Sequence, residues 1–390
     1  MNMNMNIIFV LFALVGTANT HFWQELVPLL RNPDKFINRH IVVLENDVDV
    51  SAFARRFSTD PALIKKTTLV RTLQTALKAV IVDLDPKTVK VVRFLPGVSY
   101  VEEDKLGYVE VESWGTDRIN QRNLPLDGND SGAGGKIYII DTGIRVTHND
   151  FGGRAVWAAN YVDTDNSDCN GHGTHCAGTA AGTKYGVAKK ANVYAVKVCD
   201  CRGSCPTSAV VSGVDYVARQ KRARVKSVVA AISLSINSVS LTQAVKGSIQ
   251  MGVVVVTSSG NNGYDACNLV PGNIDEVITV GNTQKDDTMR HSSNYGKCVD
   301  ILAPGTSITS ASHLSDSGSA VKTGTSMACP HVAGAAAILM ANRNIQPNAV
   351  SATLVKEASP DKIKGDLKNT PNKLLYLPPK TNIFLHNNTL

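Results

Sequence analysis

The 390-residue chain is poor in aromatic and charged residues and has no apolar run of membrane-spanning length. Phe, Trp and Tyr make up 6% of it and charged residues 19%, whereas apolar residues reach 43%. The apolar run at residues 7–15 has the length of a signal-peptide core but lacks the roughly 20 residues of a membrane-spanning helix. Gly16, Thr17 and Ala18 follow it, and small residues there are typical of a cleavage site. We therefore predict a signal peptide over residues 1–20, a secreted location and no membrane partner.

The charge of the chain is too weak and too dispersed to indicate a polyanionic partner. The formal net charge is +7, and the densest basic patch is residues 221–226. No nucleic-acid-binding motif accompanies that patch, so we interpret it as a solvated helix end and predict no nucleic-acid partner. The length and the apolar content allow one large core and a small second domain.

The eight cysteines are expected to form disulfides, because the chain is predicted to be secreted. A zinc site made by Cys199, Cys201 and Cys205 is an alternative use of three of them. Their spacing matches no structural zinc pattern, so a small Cys199–Cys205 disulfide is favoured.

Ser326 stands in the segment GTSMACPH, residues 324–331, at the start of an almost wholly apolar stretch. Such a stretch predicts a buried helix. A serine at its first turn lies beside unpaired N–H groups and the positive end of the helix dipole, which suits a nucleophile that develops negative charge. The alternative is an ordinary N-cap serine on a core helix.

Two further segments favour the nucleophile. The apolar run at residues 136–140 predicts a buried parallel strand, and it ends at Asp141, where open α/β sheets place their sites. The segment GHGTHCAG, residues 171–178, then opens a small-residue helix with His172 at its tip. Each of these residues alone is more often structural. Together they form a catalytic constellation in which Ser326 attacks, His172 takes its proton and Asp141 orients the imidazole.

With these motifs in the order Asp, His, Ser, the chain resembles the subtilisin-type serine peptidases, or subtilases, and in particular their proteinase K branch. The resemblance covers about residues 38–376. It implies an α/β fold with a parallel sheet flanked by helices on both faces, and the activity of a serine endopeptidase on polypeptide substrates, without a catalytic cofactor. It also implies that Asn261, in the segment SGNNG, donates to the oxyanion; the alternative is an ordinary turn residue.

Residues from about 38 to 106 read as a separate α/β unit with apolar strands near 41–44 and 79–84. This unit resembles the ferredoxin-like inhibitory propeptide of the family, which acts as an intramolecular chaperone and inhibitor. The predicted organisation is therefore a signal peptide (1–20), a propeptide (21–109), a peptidase domain (110–376) and an irregular tail (377–390). We predict a monomer made as a self-cleaving zymogen.

The resemblance implies that substrates add as a strand between two cleft segments, Gly203-Ser204-Cys205 and Ser233-Leu234-Ser235. The family usually has glycine at positions 205, 235 and 236. Side chains there would narrow the cleft, which predicts a preference for small or medium apolar residues at P1. The same departure leaves open a catalytically impaired pseudo-peptidase that stays bound to its propeptide and acts as a binding protein.

Two disulfides and two calcium sites follow from the resemblance alone. The disulfides are Cys169–Cys201 and Cys267–Cys298, and Cys176 matches a buried free cysteine. One calcium site would use Asp117, Gln121 and Asp127, near Asn120 and Asn129; Asn129 also opens a glycosylation sequon. The other would use Asp300 with backbone oxygens at Asp275 and Val277. The alternative at both places is a set of solvated turn residues.

Overall fold

The computed structural model describes residues 26–31, 35–109, 118–119, 132–221 and 227–377. The predicted signal peptide and residues 378–390 of the predicted tail lie outside these ranges. Within them, no helix combines the length and the apolar character needed to cross a bilayer.

The N-terminal unit is one sheet with two helices on one face. Its elements are β1 (Leu29–Leu30), β2 (Lys35–Leu44), α1 (Val50–Thr59), β3 (Thr67–Leu73), β4 (Ala79–Leu84), α2 (Pro86–Val92) and β5 (Val98–Val109). The strand order is β1-β5-β2-β4-β3, with β1 parallel to β5 and the other neighbours antiparallel. Asp49 caps α1, and Asp85 caps α2 just before Pro86. The four strands and two helices expected of this unit are present, and β1 is an addition.

Strand β2 explains why this sheet needs cover on both faces. Successive strand residues point to opposite faces. Val42 and Leu44 pack with the unit's own helices, whereas Ile41 and Val43 belong to an apolar cluster shared with the C-terminal part of the chain. The N-terminal unit is therefore packed against the rest of the protein through the face that its helices leave open.

The C-terminal part of the chain is built on a nine-stranded sheet of order β17-β18-β14-β13-β12-β10-β6-β8-β7. Its helices are α3 (His172–Ala181), α4 (Thr207–Lys221), α5 (Val239–Gln250), α6 (Thr325–Asn342) and α7 (Val350–Glu357). Its strands, with those outside the large sheet, are β6 (Lys136–Asp141), β7 (Ala155–Asn160), β8 (Asn192–Lys197), β9 (Ser204–Pro206), β10 (Val228–Ile232), β11 (Leu234–Ser235), β12 (Val254–Ser258), β13 (Ile278–Thr283), β14 (Ile301–Pro304), β15 (Ile308–Ala311), β16 (Ser319–Lys322), β17 (Ser359–Pro360) and β18 (Lys373–Leu374).

Helices cover both faces of this sheet. On β6, Ile137 and Ile139 face the cluster that contains α3 and α6, whereas Tyr138 and Ile140 face the cluster that contains α4 and α5. Gly334 lets α6 approach closely, because a Cβ there would lie 2.7 Å from the Ala180 carbonyl oxygen. The predicted α/β class, with a parallel sheet between two helical layers, is confirmed.

Two features at the end of the chain differ from the expectation. The pair β17–β18 is antiparallel, so the sheet is mixed at one edge. A short return of the chain allows this, whereas a parallel pair needs a long crossover. Leu377, the first residue of the predicted irregular tail, is buried in the core, and its N–H donates to the Ile119 carbonyl. The core of the C-terminal part therefore extends at least through Leu377.

Candidate active site

Three predicted site residues lie at element ends on one side of the large sheet. Asp141 is the last residue of β6, His172 the first of α3 and Ser326 the second of α6. Gly171 precedes His172 in a left-handed conformation with φ 90°, which favours glycine. A Cβ at Gly171 would also meet the His313 ring at 2.0 Å. The turn before α3 therefore requires glycine for two reasons.

Asp141 and His172 form a buried hydrogen-bonded pair. His172 Nδ1 lies 2.8 Å from Asp141 Oδ1 and 2.9 Å from Oδ2, and both side chains are almost completely buried. A carboxylate only accepts, so Nδ1 carries the proton. Burial by itself would lower the pKa of His172, but the adjacent Asp141 charge outweighs it and the pKa lies well above its usual value. This arrangement favours the imidazolium that forms when the ring accepts a proton at Nε2.

Ser326 is tied to the same place through its neighbours. Its Oγ donates to the Ser233 carbonyl at 3.1 Å, and Ser233 Oγ donates back to the Ser326 carbonyl at 3.2 Å. Cys176 Sγ donates to that carbonyl at 3.3 Å and lies 3.8 Å from His172 Nδ1. One buried thiol thus contacts both the serine and the histidine. Burial raises the pKa of Cys176, which keeps it a neutral, structural thiol.

Asn261 is oriented as a hydrogen-bond donor toward the start of α6. Its Oδ1 accepts from the Thr325 backbone N–H at 2.8 Å. That bond fixes the amide, because an N–H cannot be paired with the Nδ2 donor. A Cβ on Gly324 would lie 3.4 Å from Asn261 Nδ2, so the free end of the amide faces the residues just before Ser326.

The two predicted cleft segments lie on either side of the end of β5. On one side β9 pairs antiparallel with it, with Gly107 opposite Cys205 and Tyr108 opposite Ser204. On the other side β11 pairs antiparallel, with Val109 opposite Leu234. The chain at residues 106–109 is therefore the central strand of a small three-stranded sheet, and we call the space between β9 and β11 the cleft.

The side chains at the three positions where glycine was expected differ in direction. Cys205 is buried and bonded to Cys199, and Ile236 is buried in the apolar cluster that contains α4 and α5. Ser235 is half-buried and stands opposite Tyr108 in the register. Of these three, Ser235 is the candidate that faces the cleft.

Three disulfides join six of the eight cysteines. Cys169–Cys201 and Cys267–Cys298 are the pairs that the resemblance implied, and Cys199–Cys205 is the small bridge that the spacing favoured over zinc. Because these sulfurs are bonded to one another, they are not available as zinc ligands. Cys176 and Cys329 are free and buried.

The residues of the second predicted calcium site line a cavity of about 250 Å³. Asp275 and Asp300 both face it, and Asp300 Oδ2 accepts from the Thr279 N–H at 2.7 Å. Burial, with a smaller contribution from the Asp275 charge, raises the pKa of Asp300 to about 6. Two carboxylates that share one cavity suit a hard cation. The residues of the other predicted site, Asp117, Gln121 and Asp127, lie outside the described residues.

One further cluster has ligand-type side chains. Asp141, His172 and Cys176 are, among the described residues, the one group of three or more His, Cys, Asp or Glu whose ligand atoms lie within 4.8 Å of one another. Its distances are those of the hydrogen bonds given above, so we assign it to proton chemistry rather than to a metal.

Sequence patterns missed the carboxylates that join the N-terminal unit to the rest. Asp104 Oδ1 accepts from the Ser208 N–H at 2.7 Å, at the start of α4, and Ser208 Oγ also donates to Asp104. Glu102 Oε2 accepts from the Ser240 N–H at 2.8 Å, at the start of α5, and from Ser240 Oγ. Burial raises the pKa of Asp104 to about 6 even though Ser208 donates to it. The signal was an acidic pair in an otherwise apolar strand.

The comparisons with known proteins agree with this geometry. Residues 132–376 match the model of the subtilase family, peptidase S8. The chain is 43% identical over 319 residues to alkaline serine exoprotease A of Vibrio alginolyticus, an alignment that covers 77% of this chain and 59% of that protein.

Two other matches cover more of the partner. An extracellular serine proteinase of Thermus sp. strain Rt41A is 38% identical, over 90% of this chain and 92% of that protein. The crystal structure of a cold adapted subtilisin-like serine proteinase superposes with a TM-score of 0.62 at 47% identity, over 67% of this chain and 97% of that one. The family model matches more than half of the chain and the Thermus alignment nearly all of it, and on that ground the chain belongs to the subtilase family of serine peptidases.

Proposed function

We propose that this protein is a secreted serine endopeptidase that is made as a self-cleaving zymogen. The buried Asp141–His172 pair, placed beside Ser326 through their common contact with Cys176, is the observation that carries the proposal. The secreted location is supported by the apolar run at residues 7–15 and by a relative that is named extracellular.

In the proposed reaction, His172 Nε2 takes the proton of Ser326 Oγ as the oxygen attacks the carbonyl carbon of the scissile bond. The imidazolium then gives this proton to the leaving amine as the C–N bond breaks. Water, deprotonated in the same way, hydrolyses the acyl-enzyme and returns Ser326 to its free form. Asp141 accepts from Nδ1–H throughout and keeps the ring in the required tautomer.

The negative charge of the tetrahedral intermediate would be stabilised by donors that are already in place. Asn261 Nδ2 faces the start of α6, where the first N–H groups of the helix have no intrahelical partner. Preoriented donors of this kind require no reorganisation as charge develops. Asn261 and the Ser326 backbone N–H are therefore the proposed oxyanion hole.

The cleft would bind substrate as residues 106–109 of the chain are bound. An extended peptide there gains backbone hydrogen bonds to both β9 and β11, whatever its side chains are. This accounts for a polypeptide substrate and places specificity in the side-chain pockets beside the strand.

The N-terminal unit is the proposed inhibitor and folding template. Its β5 fills the cleft, and its sheet face packs on the apolar cluster that contains α4 and α5. Asp104 and Glu102 cap the starts of these helices, and Asp215 of α4 accepts from the Thr75 and Ala76 N–H groups at 2.9 and 2.7 Å. A unit that caps two helices and closes the cleft would both order the peptidase and block it.

Calcium fits the cavity lined by Asp275 and Asp300, because carboxylate oxygens are its usual ligands. We assign it a structural role there. The cavity is formed in part by Gly272, Lys297 and Cys298 and contains no residue of the proposed triad.

The test is maturation of the purified precursor followed on a denaturing gel. Self-cleavage between residues 104 and 113, followed by digestion of added casein, is the expected result. A chain that never cleaves itself and digests nothing would contradict the proposal and favour a pseudo-peptidase that binds its own N-terminal unit.

We predict a P1 preference for small or medium apolar residues, because Ser235 adds a side chain to the wall of the cleft. Ser235→Gly is expected to raise kcat/KM for Phe and Tyr at P1 by about tenfold, within the range of one or two methylene contacts. Profiling on a peptide library measures it. Ser235→Ala is the matched control: it keeps the Cβ and removes the hydroxyl, so little gain is expected. A wild-type preference for Phe or Tyr would show that Ser235 does not set the pocket.

Calcium is expected to stabilise the protein strongly at pH 7–8 and weakly below pH 5. The pKa of Asp300 is raised from 3.8 to about 6, so the folded state holds this proton more tightly than the unfolded chain. Without a cation, the carboxyl therefore contributes stability at pH below about 4, and that contribution is lost as the pH rises through about 6. Calcium needs the deprotonated form. At a concentration about 100 times its Kd it should add ~2.7 kcal/mol, or ~5–10 °C in Tm.

Thermal unfolding of the Ser326→Ala precursor, with and without calcium, measures this effect without self-digestion. Asp300→Asn should remove most of the calcium response. The control is Glu276→Gln, at an exposed acid beside the cavity that does not line it. An equal calcium response in the Asp300→Asn protein would place the ion elsewhere.

A further inference from the structure

The cleft strand β9 has little secondary structure of its own to hold it extended. It is three residues long, and its third residue, Pro206, has no N–H to donate. Within the described residues, its sheet partner is β5. A strand of this length is not stable by itself. Once β5 leaves the cleft, β9 must be kept in place by something other than a sheet.

The Cys199–Cys205 disulfide provides a covalent connection for β9. It joins Cys205, at the centre of β9, to Cys199, two residues after β8, and both cysteines are fully buried. The N–H groups of Val198 and Cys199 donate to the Asp141 carbonyl at 2.8 and 3.2 Å. The centre of the cleft strand is thus bonded to the segment that holds the end of β6.

The turn between the two cysteines is also closed. Asp200 N–H donates to the Ser204 carbonyl at 2.9 Å, Gly203 N–H donates to the Asp200 carbonyl at 3.0 Å, and Ser204 N–H donates to Asp200 Oδ1 at 2.9 Å. The second disulfide, from Cys201 to Cys169, ties the same turn to the loop just before His172. The turn is therefore anchored near both the acid and the histidine.

We infer that the Cys199–Cys205 disulfide is a positioning element of the cleft, which keeps β9 in the extended conformation to which a peptide adds. The inference rests on the proposed function and extends it. A strand that is already ordered spares the peptide the entropy of ordering it. Peptides that extend along β9 benefit, whereas a substrate that ends at the scissile residue does not reach β9.

The test compares the wild-type enzyme with the double variant Cys199→Ala/Cys205→Ala on two substrates. One is a tetrapeptide anilide that can pair with β9, and the other is an ester of a single blocked amino acid. We expect the ratio of kcat/KM for the peptide to that for the ester to fall about tenfold, mainly through the peptide's KM, as ordering one residue would require. Cys267→Ala/Cys298→Ala is the control, and it should lower Tm without changing the ratio.

Other outcomes are equally informative. Equal losses on both substrates would show that the disulfide supports the triad or the fold instead of the strand, and an unchanged ratio would overturn the inference. If the double variant does not fold, hydrogen exchange of the wild-type mature enzyme decides: the Gly203 and Ser204 amides should stay protected after the N-terminal unit is released, and loss of protection refutes the inference.

A wild-type protein that hydrolyses neither substrate would contradict the proposed function by itself. The disulfide can then still be tested on the precursor. There, faster exchange at Gly203 and Ser204 in the double variant supports the positioning role, and unchanged exchange refutes it.

Discussion

Ser326→Ala is expected to leave a full-length precursor with no measurable peptidase activity. The reaction needs the Oγ as nucleophile, and neither Ser233 nor Cys176, the neighbouring side chains, can replace it, because both are held in hydrogen bonds to the Ser326 carbonyl. Triad members act as a unit, and in subtilisin the loss of the serine costs about 10⁶ in kcat, a magnitude that we transfer to this chain through family membership. Gel analysis of maturation and a casein assay measure the two effects.

The matched control is Ser319→Ala, at an exposed serine of β16, which should mature and digest casein as the wild type does. Adding a trace of active wild-type enzyme to the Ser326→Ala precursor separates the two functions of the serine. The added enzyme may supply the cut, but the cut variant should remain inactive. Casein digestion by purified Ser326→Ala protein would remove the central claim.

Asn261→Asp is expected to lower kcat by about 10²–10³, the range known for the equivalent asparagine of subtilisin. The structure makes aspartate the informative choice. Asn261 has two tasks, since its Oδ1 accepts from Thr325 N–H while its Nδ2 faces the start of α6. Aspartate keeps the acceptor that holds the turn and removes the donor that the oxyanion needs, so the fold is retained and KM should change little.

Asn262→Asp is the control, because it introduces the same charge at the exposed neighbour. If both variants lose activity equally, the added charge and not the lost donor is responsible. If Asn261→Asp keeps kcat within about tenfold of the wild type, the oxyanion assignment is wrong, because a lost donor costs more than that. Steady-state kinetics on a peptide anilide give kcat and KM separately.

The parts of the fold that could be predicted are those in which a local pattern has one physical solution. Residues 136–140 are apolar without alternation, and only a strand covered on both faces buries all of them. The stretch after Ser326 has no polar face, and α6 is indeed buried along nearly its whole length. These two elements carry Asp141 and Ser326, which is why the candidate site could be anticipated from the sequence.

The remaining features depend on contacts between distant segments. The apolar run at residues 41–44 predicts a strand, but nothing in it shows that Ile41 and Val43 face a different part of the chain from Val42 and Leu44. The strand β9 has three residues and no periodicity to detect. Asp104 would be expected on a surface, yet its burial is explained only by the start of α4 that it caps.

The disulfides show the same division. Two pairs followed from the resemblance, whereas Cys199–Cys205 could be favoured only by excluding zinc, because spacing alone does not determine pairing. Its connection with the cleft became visible only when Gly107 was found opposite Cys205.

Strand β5 belongs to two sheets at once, since its first half pairs with β1 and β2 and its end lies between β9 and β11. While the chain is continuous, filling of the cleft is intramolecular and does not depend on how much protein is present. A single cut beyond Val109 would leave every contact in place but would make the association bimolecular. From then on dilution favours separation, so the protein would stay latent where it is crowded during export and become active as it disperses outside the cell.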